Sequence, residues 1–183
     1  MTALQTVIGA LPRKFPAAVL VVQHLDPRHK SLLAELLARR TPLVVKEAID
    51  REVIEAGTVY IAPPDNHFLV ANGRVSLTSS ELVHYTRPSI DLLFESVAAS
   101  YRSRAIGVIL TGSGHDGATG LRAIKEQGGT TIAQDPQTAE YGSMPAHACA
   151  ASCVDFKLPL DTIGPAIVSL VLGDNAGLRE ITG

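Results

Sequence analysis

Two continuously apolar runs, each followed at once by a polar loop, limit most strongly what this chain can fold into. Residues 17–22 read Ala-Ala-Val-Leu-Val-Val, and residues 105–110 read Ala-Ile-Gly-Val-Ile-Leu. Strands buried on both faces carry such runs, whereas a strand with one wet face alternates apolar and polar residues. Both runs therefore predict interior strands of a parallel sheet that is covered by helices on both faces.

Segments with helical periodicity alternate with strand candidates along the chain. Leucines on one face of residues 31–40 predict a helix after the first run, and Ser89 can cap another that reaches residue 100. Further helices are predicted over 118–127, 144–150 and 161–172, and further strands over 43–45, 130–133 and 154–157. This alternation predicts an α/β fold: a doubly wound, mainly parallel sheet in three layers.

The middle of the chain has a different pattern. Short strands are predicted over 59–62, 67–71 and 74–78, and the Asn72-Gly73 pair between the last two is typical of a type I′ hairpin turn. We interpret this region as an antiparallel hairpin excursion on the parallel sheet and not as a separate domain.

Length and charge limit the number of domains and the kinds of partner that we expect for this chain. A chain of 183 residues is expected to form one domain over 1–183. The net charge of −2 and the absence of a Lys/Arg cluster argue against nucleic acid as a partner, and no apolar run is long enough for membrane insertion. Cys149 and Cys153 fit small buried side chains in a reduced, cytoplasmic protein.

Polar residues follow both apolar runs, where ligands bind in open α/β sheets. His24 lies two residues beyond the first run and suits a general base, while Asp116 follows the second and suits the acid that orients it. Glycines 112, 114 and 117 would let backbone N–H groups approach an oxyanion. The alternatives are a packed loop histidine at His24 and a helix N-cap at Asp116.

Two other ligand classes fit the same loops less well. Residues 112–117 match G-x-G-x-x-G and Asp135 could bind a ribose, but Asp116 would repel a pyrophosphate at the helix N-terminus. His24, Asp26 and His29 are close in sequence, but their spacing matches no known ligand pattern, so no metal is expected.

Several motifs together resemble one family over essentially the whole chain. They are Val-Val-Gln-His-Leu at 21–25, Tyr-Ile-Ala-Pro-Pro-Asp-Asn-His at 60–67, Arg-Pro-Ser-Ile-Asp-Leu-Leu-Phe at 87–94, Gly-Val-Ile-Leu-Thr-Gly-Ser-Gly-His-Asp-Gly at 107–117, Ile-Ala-Gln-Asp at 132–135 and Gly-Ser-Met-Pro at 142–145. In this order they resemble the catalytic domain of the CheB-type chemotaxis protein-glutamate methylesterases.

The resemblance implies a cofactor-free hydrolysis of glutamyl methyl esters, with deamidation of some glutamines, on the cytoplasmic helices of chemoreceptors. It implies a Ser-His-Asp triad in which His24 is the base and Asp116 the acid. The backbone of Thr111, Gly112, Ser113 and Gly114 would line the oxyanion side, and a loop containing Arg87 and Ser89 would border the substrate cleft. A receiver domain or another chemotaxis protein is a further candidate partner.

The chain departs from the family in three respects. In the family the nucleophile is the Ser of a Gly-x-Ser-x-Gly-Gly turn that precedes the first helix. Here the first helix is expected to begin almost at Met1, so we expect that this turn and the strand before it are absent. Ser113 stands where the family commonly has Met, and His115 where Asn is common. The family's receiver domain is expected to be missing. We expect that the native coding sequence begins further upstream, the alternative being a non-catalytic receptor-binding or assembly module on the same fold.

Overall fold

A computed structural model describes residues 2–24, 32–83 and 86–182 of the chain. Within these residues the helices are α1 Thr2–Gly9, α2 Leu33–Ala38, α3 Ile90–Tyr101, α4 Ala118–Glu126, α5 Ser143–Ala150, α6 Leu160–Leu172 and α7 Asn175–Thr182. The strands are β1 Val19–Val21, β2 Val44–Glu47, β3 Thr58–Ile61, β4 His67–Ala71, β5 Arg74–Thr78, β6 Ile106–Ile109, β7 Thr130–Gln134 and β8 Phe156–Leu158.

Outside the hairpin, all pairing between the described strands is parallel. The strands form two groups of three, in the orders β1-β3-β2 and β6-β7-β8, and Val19 stands opposite Val59 while Ile106 stands opposite Thr130. The predicted α/β class with a mainly parallel sheet is confirmed, and so is the antiparallel excursion, because β4 and β5 pair only with each other among the described strands.

Successive side chains of the strands enter cores on opposite faces of the sheet. Val59 and Ile61 pack with α1 and α2, whereas Tyr60 between them packs with the hairpin and α3. In β7, Ile132 packs with α1 and α6, whereas its neighbour Ala133 packs with α4 and α5. Both faces of the strands are therefore covered, which explains why they are apolar without alternation.

The hairpin forms as its turn residues require. Asn72 and Gly73 have φ values of 52° and 71°, which is the left-handed conformation of both central residues in a type I′ turn. The observed β4 and β5 have the bounds expected from the sequence. One face of the hairpin packs through Phe68 and Val75 against α3, so the excursion supports the helix that follows it.

Other elements differ modestly from expectation. The two buried strands are shorter than their apolar runs, and part of the helix expected over 31–40 falls outside the described residues. Helix α7 was not predicted; it packs on α6 through Leu178 and Ile181. None of the described helices is both long and apolar enough to cross a membrane.

Candidate active site

His24 and Asp116 meet beyond the carboxyl ends of β1 and β6. His24 follows β1 by three residues, and its Nε2 lies 3.1 Å from Oδ2 of Asp116. The His24 side chain is 32% exposed, whereas that of Asp116 is 7% exposed. A buried carboxylate thus faces a solvent-accessible imidazole, and the hydrogen bond at Nε2 leaves Nδ1 as the ring nitrogen that can accept a proton.

The carboxylate of Asp116 is held by the start of α3 and not by α4, the helix that follows it. Oδ2 accepts from the N–H of Ile90 at 2.8 Å, and Oδ1 accepts from the N–H of Asp91 at 3.0 Å and from Ser89 Oγ at 3.2 Å. The alternative role expected for Asp116, as N-cap of α4, is not observed. Gly117 occupies that N-cap position, with a φ of 99°. The same carboxylate therefore satisfies the free N–H groups of one helix while it faces the base.

These bonds also fix the charge of Asp116. Burial alone would raise the pKa of Asp116, but the hydrogen bond from His24 and those from the N–H groups of Ile90 and Asp91 outweigh it and lower the pKa to about 2. The group is consequently ionised at neutral pH, as the orienting member of a His–Asp pair must be.

A second carboxylate lies at the start of the neighbouring helix. Asp91 Oδ1 accepts from the N–H of Gly117 at 3.0 Å and from the N–H of Gly120 at 2.7 Å. Burial raises the pKa of Asp91, and the charge of Asp116 adds to this against the two backbone hydrogen bonds. Sequence reasoning missed Asp91, because its motif position could be interpreted as an ordinary acidic first-turn residue.

A shallow cleft opens beside the His24–Asp116 pair. Its lining residues are His24, Thr86, Ser113, Gly114, His115 and Asp116. Two of the residues expected to border a substrate, Ser113 and Gly114, thus lie beside the pair. Thr86 and His115 were not predicted to line it, although both are immediate sequence neighbours of residues that were.

Hydrogen bonds join the loop before α4 to the end of β7 and the segment around the start of α5. They change the role expected for the backbone N–H groups of this loop. The N–H of Thr111 donates to Gln134 Oε1, that of Gly112 to the Tyr141 carbonyl, and that of Gly114 to Ser143 Oγ. These three N–H groups are therefore already satisfied, and the expectation that they point at an oxyanion does not fit these bonds. Ser113 lies between them in the cleft, and its N–H has no acceptor among the described residues.

Arg87 and Ser89 are not among the described residues that line the cleft, although Thr86 beside Arg87 is. Arg87 donates to Asp65 and to the carbonyl oxygens of Ser79 and Ser80. Ser89 is fully buried, caps α3 by accepting from the Leu92 N–H at 3.5 Å, and donates to Asp116. Both were expected at the border of the substrate cleft; their contacts instead brace the loop and helix that hold the acid.

The two other ligand classes find little support in this geometry. Asp91 occupies the N–H groups at the start of α4 where a dinucleotide pyrophosphate would bind, and Asp135 accepts from the N–H of Gln137 in a turn. Asp26 and His29 of the metal alternative lie outside the described residues. Within the described ranges, no three His, Cys, Asp or Glu side chains come together as a metal site.

Comparison with known proteins decides the family. The family model described as CheB methylesterase matches residues 1–167. The chain belongs to the CheB methylesterase family. The crystal structure of the Thermotoga maritima CheB methylesterase catalytic domain superposes with a TM-score of 0.88 and 38% sequence identity, covering 92% of each chain. The resemblance expected from the motifs is thus confirmed, and with it membership of a family of carboxylic ester hydrolases.

Relatives of the CheB methylesterase family differ in how much of their length this chain covers. A Leptospira interrogans protein, provisionally named protein-glutamate methylesterase/protein-glutamine glutaminase, is 40% identical over 93% of this chain and 89% of its own. A Methanosarcina mazei protein-glutamate methylesterase/protein-glutamine glutaminase 2 is 39% identical over 92% of this chain and 48% of its own. The chain therefore spans nearly all of the first relative and about half of the second.

Proposed function

We propose that this chain provides the base and the acid for hydrolysis of glutamyl methyl esters, with deamidation of glutamine side chains as a second reaction. The observation that carries the proposal is the 3.1 Å contact between His24 Nε2 and Asp116 Oδ2 at the edge of an open cleft. The names of the relatives supply the chemistry: esters and amides of the glutamyl side chain differ only in the leaving group, methanol or ammonia.

His24 is assigned the proton transfers. In the first step its Nδ1 takes the proton of the attacking hydroxyl as the new C–O bond forms, and the imidazolium returns that proton to the departing methoxide or amide nitrogen. Water then attacks the acyl-enzyme while the same nitrogen takes its proton, and that proton passes to the serine oxygen as the acyl C–O bond breaks. Asp116 supports both steps, because its ionised carboxylate fixes the ring and stabilises the imidazolium.

The serine nucleophile is proposed to come from outside the described residues. Ser89 is buried and donates to Asp116, and Ser143 Oγ accepts from the Gly114 N–H. Ser113 is exposed in the cleft but belongs to the loop of the acid, so it approaches from the acid's side. The hydroxyls of Ser89 and Ser143 are therefore assigned to the framework, and Ser113 is not assigned as the nucleophile because it lies on the acid's side of the cleft.

The proposed partner is the cytoplasmic part of a methyl-accepting chemoreceptor, since a glutamyl methyl ester has to be presented by a protein. A receiver domain or another chemotaxis protein is a second proposed partner. A cleft that opens to the surface suits this substrate, because the glutamyl side chain stays attached to a folded helix and has to reach the His24–Asp116 pair from outside.

The test measures methanol release from methylated receptor by the protein as its gene encodes it. Without its base, the His24→Ala variant is expected to lose at least about 1,000-fold in kcat, and Asp116→Asn is expected to show a comparable loss. Asp161→Asn, an exposed acid in the first turn of α6, serves as the matched control and should retain full activity. Full activity of His24→Ala would overturn the proposed role of His24.

The source of the nucleophile needs a separate experiment. A fluorophosphonate probe, which labels activated serines, is reacted with the same protein, and the labelled peptide is identified by mass spectrometry. Labelling should depend on His24 and fall on a serine outside the described residues, and Ser113→Ala should remain active. A label on Ser113 would assign the nucleophile to the loop of the acid instead.

A non-catalytic receptor-binding module on the same fold is the second candidate. The observation that favours it is that Ser89 and Ser143 are both committed to structural bonds. It predicts receptor binding that survives His24→Ala together with no methanol release from the wild-type protein.

A further inference from the structure

His67 is a fully buried histidine that the proposed chemistry does not use. It is the first residue of β4 and has no exposed surface. Its Nδ1 lies 3.2 Å from the backbone nitrogen of Ser89, and its Nε2 lies 3.0 Å from the carbonyl oxygen of Glu81. An N–H group can only donate and a carbonyl oxygen can only accept, so the ring is neutral with its proton on Nε2.

Ser89 links His67 to the acid through two hydrogen bonds. Its N–H donates to His67, and its hydroxyl donates to Oδ1 of Asp116 at 3.2 Å while accepting from the Leu92 N–H. The residue is fully buried, so water does not compete for these bonds. His67 therefore fixes the backbone of the residue whose side chain holds Asp116.

The next two residues extend the same arrangement. The N–H groups of Ile90 and Asp91 both donate to Asp116, so three consecutive residues, 89 to 91, bind the carboxylate. A shift of Ser89 would move all three donors together. The opposite end of this series is anchored by the hairpin, because His67 lies on β4 and Glu81 follows β5 by three residues.

We propose that His67 is a positioning residue for the His24–Asp116 pair, acting through Ser89 and the first turn of α3. It lies behind the acid and does not contact the substrate cleft. Its two ring nitrogens have separate tasks: Nδ1 holds Ser89, and Nε2 holds the segment after the hairpin in place. The inference rests on the proposed function only for its effect on turnover, since the hydrogen bonds themselves can be tested without substrate.

Two substitutions separate these tasks. His67→Asn places an amide oxygen near the position of Nδ1 and can still accept from the Ser89 N–H, whereas His67→Gln places its amide near Nε2 and keeps the contact with Glu81 instead. Both variants lose one buried hydrogen bond, so both should melt at a lower temperature than the wild type. Only His67→Gln loses the bond that positions Asp116.

Turnover should therefore distinguish the two variants although their stabilities are similar. We expect His67→Gln to lower kcat about 10- to 100-fold with KM nearly unchanged, because a small displacement of the acid impairs the chemical step and not binding. His67→Asn should stay within about 3-fold of the wild type. Equal losses in the two variants, following their melting temperatures, would overturn the positioning role.

A measurement without substrate separates this inference from the proposed function. Carbon-13 NMR of the Asp116 carboxyl follows its titration, and the Ser89 amide proton reports its hydrogen bond to His67. In His67→Gln the Ser89 amide should move upfield and Asp116 should titrate at higher pH than in the wild type, with His67→Asn close to the wild type. If these changes occur in a protein that releases no methanol, the positioning role stands and the proposed function fails. Unchanged spectra in His67→Gln would refute the positioning role.

Discussion

Asp91, in the first turn of α3, binds the start of α4, and Asp116, in the turn before α4, binds the start of α3. Asp91, in the first turn of α3, accepts the N–H groups of Gly117 and Gly120 at the start of α4. Asp116, just before α4, accepts the N–H groups of Ile90 and Asp91 at the start of α3. Two helix N-termini that would attract anions are thereby satisfied by internal carboxylates, and the acid of the candidate pair is held by the first turn of α3.

The first prediction concerns acid stability. The folded-state pKa of Asp116 is about 2, below the value of about 3.9 for an unfolded aspartate, so the unfolded chain binds this proton first as the pH falls. The stability contributed by the ionised group is therefore present above about pH 5 and is lost as the pH falls towards 2. It amounts to roughly 2 kcal/mol.

Asp116→Asn should accordingly show a smaller fall in the free energy of unfolding between pH 6 and pH 3 than the wild type does. Urea denaturation across this range measures it. The control Asp161→Asn, at an exposed position, should keep the wild-type slope. If Asp116→Asn follows the wild-type curve in parallel, the ionised carboxylate does not stabilise the fold.

The second prediction tests the close approach of α3 and α4. A Cβ at Gly120 would lie 2.6 Å from Phe94 Cβ and 2.7 Å from the Asp91 carbonyl oxygen. Gly120→Ala should therefore destabilise the protein by about 1–3 kcal/mol, although alanine is the better helix former by about 1 kcal/mol. The neighbouring exposed Thr119→Ala should not destabilise it. Thermal unfolding of the two variants measures the difference in stability. A Gly120→Ala protein as stable as the wild type would argue against this packing.

The third prediction concerns the loop of the acid. Ser143 Oγ accepts from the Gly114 N–H at 2.9 Å and lies 3.4 Å from the carbonyl oxygens of Gly112 and Gly114. Ser143→Ala releases this side of the cleft, so kcat/KM for methanol release should fall about 10-fold while the free energy of unfolding falls by only about 1 kcal/mol. Ser103→Ala, at an exposed position, is the matched control. An unchanged kcat/KM in Ser143→Ala would show that the loop keeps its shape without this bond.

The fourth prediction concerns the hydrogen bonds of the Arg87 side chain. Arg87 donates through Nε and Nη2 to Asp65 and through Nη1 to the carbonyl oxygens of Ser79 and Ser80. A lysine cannot reproduce this planar set of donors, so Arg87→Lys should lose about 1–2 kcal/mol of stability. Arg74→Lys, where a single exposed bond joins the side chain to the Arg51 carbonyl, should lose much less. Urea denaturation of both variants measures the difference, and equal losses would contradict the bracing role.

The sequence predicted the hairpin and the fold class well because their determinants are local. Asn72-Gly73 fixes the turn, and the apolar runs identify strands covered on both faces. The sequence also predicted that His24 and Asp116 lie close together, because the carboxyl ends of parallel strands share one edge of a sheet.

The missed features depend on hydrogen bonds between distant segments. Ser89 was expected at the cleft, yet its buried hydroxyl bonds to a residue 27 positions later. His67 and Asp91 looked like a strand start and a first-turn acid, because their partners come from other elements. No local pattern shows which backbone N–H groups a side chain will meet after folding.

The hydrogen bonds to the Asp116 carboxylate limit which group can move during turnover. Oδ1 accepts from Ser89 and Asp91, while Oδ2 accepts from Ile90, faces His24 and lies 3.4 Å from the Thr86 hydroxyl. With every lone-pair direction occupied, the carboxylate cannot rotate to follow a ring that carries a proton from one oxygen to another. Any change of orientation during proton transfer is therefore left to the His24 ring, turning about the nitrogen that the carboxylate holds, and its 32% exposed side chain has space for a small rotation.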